Sequence, residues 1–94
     1  MEIKHLERGG RGAFFIKADN KRVAEMTYSR VGDKNIIIDH TAVDDSLRGK
    51  HVGEDLLDSA TAFARANDLK VMATCPFALA QLKKNRKYAD VFNA

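Results

Sequence analysis

The sequence contains one cysteine, one proline and no tryptophan in 94 residues. A lone cysteine cannot close an internal disulfide, so a reducing, cytoplasmic setting is expected. That cysteine and three scattered histidines offer no zinc-type spacing, and no metal is expected. No apolar run is long enough to cross a bilayer, and no membrane partner is expected. The opening Met1-Glu2-Ile3-Lys4-His5 has no signal-peptide core. Aromatic residues make up 7% and are not interleaved with basic ones, which argues against a base-stacking nucleic-acid platform. Internal repeats, low-complexity tracts and linkers are also missing.

What is present suits one small domain spanning residues 1–94 with a single modest core. Hydrophobic residues are 45% and charged residues 31%, an ordinary globular balance. The formal charge is +3 and the pI about 9.2. That excess favours acidic ligands without choosing among a phosphate-rich cofactor, RNA or plain solubility.

Periodicity divides the chain into elements. Glu2 to Glu7, Ala13 to Ala18, Arg22 to Arg30 and Asn35 to Val43 read as strands. Gly9-Gly10, Asp19-Asn20 and Gly32-Asp33 read as the turns between them. The run Ile36-Ile37-Ile38 suggests a central strand buried on both faces. The period then changes to three and four. Val52, Leu56, Leu57, Ala60, Phe63 and Ala64 make one apolar helical face over Glu54 to Ala66. Leu69 to Thr74 reads as a fifth strand, parallel to the fourth because a helix separates them. Pro76 suits the first turn of a second helix running to about Lys84. The apolar tail from Tyr88 to Phe92 is expected to dock. The order is ββββαβα, an α+β (α/β) fold in which an antiparallel meander leads into a βαβ crossover and a second helix.

The segment Leu47-Arg48-Gly49-Lys50-His51-Val52-Gly53 sits between the fourth strand and the first helix. Free N–H groups of such a turn and of the helix's first residues converge on one spot, and the helix dipole favours an anion there. A phosphate or diphosphate on main-chain donors is therefore expected, with Arg48 and Lys50 adding charge. The basic run Lys83 to Lys87 reads as a solvated helix C-terminus rather than a nucleic-acid surface.

Arg48-Gly49-Lys50-His51-Val52-Gly53 resembles the acetyl-CoA signature of the Gcn5-related N-acetyltransferase (GNAT) superfamily. Arg48 takes its first position and Gly53 its last, while His51 stands where the middle glycine is usual. Asp39-His40-Thr41 with Val43, Leu47-Arg48-Gly49, Cys75-Pro76-Phe77 and Tyr88-Ala89-Asp90 resemble phrases of its smallest single-domain members. The resemblance runs from about Glu2 to Val91, and the family's usual opening strand and two helices are missing.

This resemblance implies a GNAT-like mixed sheet and acetyl-CoA (coenzyme A) as co-substrate. The backbone of Val43 would pair with the pantetheine arm, and the amides of Arg48, Gly49, Lys50, His51, Val52 and Gly53 would hold the diphosphate. The thioester would lie between His40, Thr41 and Ala42 on one side and Thr74 and Cys75 on the other. Many relatives carry a catalytic Glu where Ala42 stands, and a Tyr acid on the second helix, where Tyr88 comes too late. His40 as base and Cys75 as a nucleophile at a helix start are the candidate catalytic groups. Each also has a structural reading, His40 as a carbonyl partner and Cys75 as a small buried hydrophobe. His5 and His51 are expected on the surface. The acceptor would be an amine on a small molecule or an exposed peptide. A CoA-binding module without transferase activity and a small basic RNA-associated protein are the alternatives. Exposed strand edges allow a monomer or a homodimer.

Overall fold

The computed structural model describes residues 2–94. An antiparallel meander is formed by β1 (Lys4–Arg8), β2 (Arg11–Ala18), β3 (Lys21–Val31) and β4 (Asn35–Val43). Helix α1 (Val52–Ala66) carries the chain to β5 (Lys70–Ala73), which pairs parallel with β4. Helix α2 (Pro76–Lys84), a 3-10 turn over Arg86–Tyr88 and the tail complete the chain. The sheet order is β1-β2-β3-β4-β5, so the mixed sheet and the ββββαβα order match expectation.

Alternation decides which side chains enter the core. Ala24, Met26 and Tyr28 of β3 point to one face and are buried, while Arg22 and Glu25 stay on the solvated side. On β4, Ile36 and Ile38 are fully buried on that same face. Against them lie Val52, Leu56, Leu57, Ala60 and Ala64, the apolar stripe of α1. Ile37 departs from the expected two-sided burial and is only half-buried. It faces away from α1, where Met72, Leu79 and Phe92 share a shallow cavity with it and only partly cover it.

The hairpin between β2 and β3 turns on Asp19 and Asn20, both with left-handed φ of 53° and 65°. Two such residues give the twist that matches paired strands. The tail docks on the outer edge of β5. Val71 N–H donates to Val91 O at 2.8 Å, and Asn93 N–H donates to Val71 O at 2.9 Å. Arg65 of α1 grips Asp90 through two bonds of 2.7 and 3.0 Å, which holds the Asp90 carboxyl below its usual range.

One polar network is set into the core's far end. His5 is exposed as expected, and its ring also stacks on Phe14 at 4.1 Å and meets Phe63 edge-on at 4.6 Å. The Tyr28 hydroxyl donates to Glu7 Oε2 at 2.9 Å and lies 2.7 Å from His5 Nε2. Arg30 binds both Glu7 oxygens and lowers that carboxyl's pKa. Burial lowers the His5 pKa from 6.5, with the nearby Glu7 opposing and Arg30 assisting. A lowered histidine pKa means that the unfolded chain takes up the proton first. The stabilisation is therefore complete above 6.5 and is lost as pH falls through the lower folded value. Thermal midpoints measured down to about pH 5 should fall for the wild type and fall less for His5→Gln. Parallel curves for the two proteins would contradict this reading.

Candidate functional site

β4 and β5 start together and then separate. They pair only from Asn35↔Lys70 to Ile38↔Ala73, while β4 continues alone to Val43. Thr74 and Cys75 both donate their N–H groups to the Ile38 carbonyl, at 2.9 and 3.3 Å. Pro76, which has no N–H to extend a ladder, then opens α2. β4 also bulges. Thr27 faces His40 and Tyr28 faces Ile38, leaving Asp39 as the extra residue. Asp44 N–H donates to Val23 O at 2.8 Å. Two-residue alternation therefore turns the N–H and C=O groups of Ala42 toward β3 and those of Thr41 and Val43 into the gap.

The turn between β4 and α1 carries the expected free amides. α1 starts at Val52 with His51 as its N-cap, and no side chain caps it. Among the described residues, the N–H groups of Gly49, His51, Val52, Gly53 and Glu54 have no protein acceptor. The Arg48 and Lys50 amides are engaged within the turn, donating to Asp45 O at 3.1 Å and Leu47 O at 3.3 Å. The donor set is thus shifted one step toward the helix relative to the predicted span. His51 adopts φ 58° and Gly49 φ 82°. His51 therefore holds, at some strain, the left-handed conformation that a glycine would take freely. Its Nδ1 lies 3.5 Å from Glu54 Oε1.

The gap and the turn open into one cleft of about 420 Å³. Its walls include Thr41 and Val43 from β4, the turn residues Arg48, Gly49 and His51, then Val52 and Gly53, and Phe77 of α2. Lys50 does not line it. Among the described residues, Val43 and Phe77 are two of the four large apolar side chains left exposed, and both border this cleft. A Cβ on Gly53 would lie 2.8 Å from Phe77 Cζ. Gly53 therefore makes room for an aromatic wall as well as for a ligand.

The two catalytic candidates lie on opposite faces of the sheet, and neither lines the cleft itself. Cys75 is the N-cap of α2, 6% exposed, and its thiol donates to Thr41 Oγ1 at 3.2 Å. His40 pairs with Thr27 across the ladder and points away from α1. Its side chain is 57% exposed and its Nε2 lies 3.6 Å from Glu25 Oε2. No bond joins His40 to Cys75. Tyr88 is buried and donates to Asp58 Oδ1 of α1 at 2.7 Å; burial and that carboxylate raise its pKa far above the usual value. It is a strut between the tail and α1, and not an acid at the gap.

A profile of the GCN5-related N-acetyltransferases matches residues 13–91. The chain belongs to the GCN5-related N-acetyltransferase family. Protein NATD1 of Danio rerio is 32% identical over 86 residues, 90% of this chain and 76% of that protein. Protein NATD1 of Xenopus tropicalis is 34% identical over 62 residues, 66% of this chain, and there the match spans only 57% of the relative's length. A GCN5-like protein of Staphylococcus aureus, solved by NMR, superposes with a TM-score of 0.76 at 39% identity, covering 99% of this chain and 88% of that one. Membership of this family supports an acetyl-transfer function.

Thr41 as the thiol's partner and Phe77 as a cleft wall had no signal in the sequence. The first depends on the bulge at Asp39, and the second on the approach of two helix starts. Substitutions at Gly53 and His51 test the geometry. Gly53→Ala gains helical preference but drives Cβ into the ring, so it should be neutral or destabilising. In a Phe77→Ala background the same change should stabilise by up to ~1 kcal/mol. Equal effects in both backgrounds, read by chemical denaturation, would exclude the contact. His51→Val should cost about 1 kcal/mol, and His51→Gly should cost far less.

Proposed function

We propose that this protein is an acetyl-CoA-dependent N-acetyltransferase acting on a primary amine of a small molecule or an exposed peptide. One observation carries the reading. Free amides at the α1 start and an unpaired strand edge at Val43 border a single cleft. An anion and an amide-bearing arm linked to it are what such a pair of surfaces would hold.

The residues divide the work. The amides of Gly49, His51, Val52 and Gly53 would take the diphosphate, with Arg48 at the rim. Val43's N–H and C=O would bond to the pantetheine arm, and the apolar faces of Val43 and Phe77 would cover it. The thioester would then lie where β4 and β5 separate, beside Cys75. The Cys75 sulfur would attack the thioester carbonyl, forming its own acetyl thioester as the bond to the CoA sulfur breaks. The thiol proton would leave with CoA. From the open face beyond β4, His40 would take a proton from the incoming amine. The amine nitrogen would capture the acetyl group, and the Cys75 sulfur would regain a proton. Ala42, with only a methyl group, leaves that face uncrowded. A cytoplasmic setting would keep the thiol reduced.

Ala42 and the engaged Tyr88 favour a second reading, a CoA-binding module without turnover, and one experiment separates the two. Titration calorimetry with acetyl-CoA should give heat. Intact-mass spectrometry should then show an acetyl group retained on the wild type and none on Cys75→Ala. Binding without acetylation, and without turnover of any amine offered, would establish the module. No heat at millimolar acetyl-CoA would end both readings.

A further inference from the structure

We propose that Thr41 is the positioning residue for the Cys75 thiol, holding it toward the cleft and stabilising its thiolate; this rests on the transferase reading above. A side chain at a helix N-cap ordinarily accepts from the amides of the first turn. Cys75 makes no such bond, and its S–H is directed instead to Thr41 Oγ1 at 3.2 Å. Thr41 lines the cleft, and its backbone lies on the unpaired stretch of β4. The hydrogen bond therefore ties the sulfur to the wall where the thioester would lie.

A hydroxyl both accepts and donates. While Cys75 is a thiol, Thr41 accepts from it. When the sulfur loses its proton, the Thr41 O–H can rotate and donate to the thiolate. The amides of Phe77 and Ala78, in the first turn of the helix that Cys75 caps, have no acceptor among the described residues. Thr41 therefore supplies a partner in both protonation states without shifting the backbone. Its γ-methyl is spare for this purpose. Serine would keep the function and valine would lose it at nearly unchanged volume.

The test reads the thiol directly, without cofactor. The rate of modification by methyl methanethiosulfonate at neutral pH should fall about tenfold in Thr41→Val, the size expected for a lost bond to a charged group. Thr41→Ser should restore it to within about twofold. Should Thr41→Val not fold, Thr41→Ala set against Thr41→Ser makes the same comparison. Wild-type rates in the valine or alanine variant, or a serine variant as slow as they are, would overturn the assignment. Because the reagent needs no acetyl donor, absent acetylation alongside this rate pattern would count against the transferase reading alone.

Discussion

A single carbonyl group organises this molecule's site. The Ile38 oxygen accepts from Thr74 and from Cys75, the next residue along, and so ends the parallel ladder. Pro76 then bars any further N–H from joining it. β4 has no such stop and extends past the point of separation. Its backbone groups at Thr41 and Val43 are left without partners next to a helix whose first amides are equally free. Unpaired backbone beside an apolar cleft is unfavourable unless something binds there. The site is thus a consequence of how two strands are forced apart.

The rest of the fold keeps that separation rigid. α1 lies across β2, β3, β4 and β5, with its apolar stripe on Met26, Ile36 and Ile38. The tail secures β5 from the outside through Val71, and Arg65–Asp90 and Tyr88–Asp58 tie the tail to α1. β5 therefore cannot slide along β4 to close the gap. The candidate groups are divided across the sheet, with the thiol and the free amides of the turn toward α1 and His40 with Glu25 on the other face.

The architecture was legible in the sequence because each strand and helix carried its own period. Alternation in β3, the stripe Leu56-Leu57-Ala60-Ala64, the Asp19-Asn20 turn and Pro76 after β5 are local signals with local causes. A helix start directly after the turn that leaves β4 was legible for the same reason, since it needs only its own residues. What stayed hidden was tertiary. The Arg48 and Lys50 amides are engaged by a 3-10 turn that no pattern announced. Ile37 looked as buried as its neighbours because a run of isoleucines does not record what covers the second face. The contacts Thr41–Cys75 and Gly53–Phe77 join residues 34 and 24 positions apart, beyond the reach of any local period.

Asp39 has a consequence larger than its size. A strand counts its faces by parity, and one inserted residue reverses the count for everything after it. Ile36 and Ile38 are even-numbered and face α1, yet beyond the insertion the odd-numbered Thr41 and Val43 do so. In an uninterrupted strand the imidazole of residue 40 would turn inward, and the threonine hydroxyl would look out to water. Insertion or loss of one residue there would leave the fold's outline intact and turn its chemistry inside out.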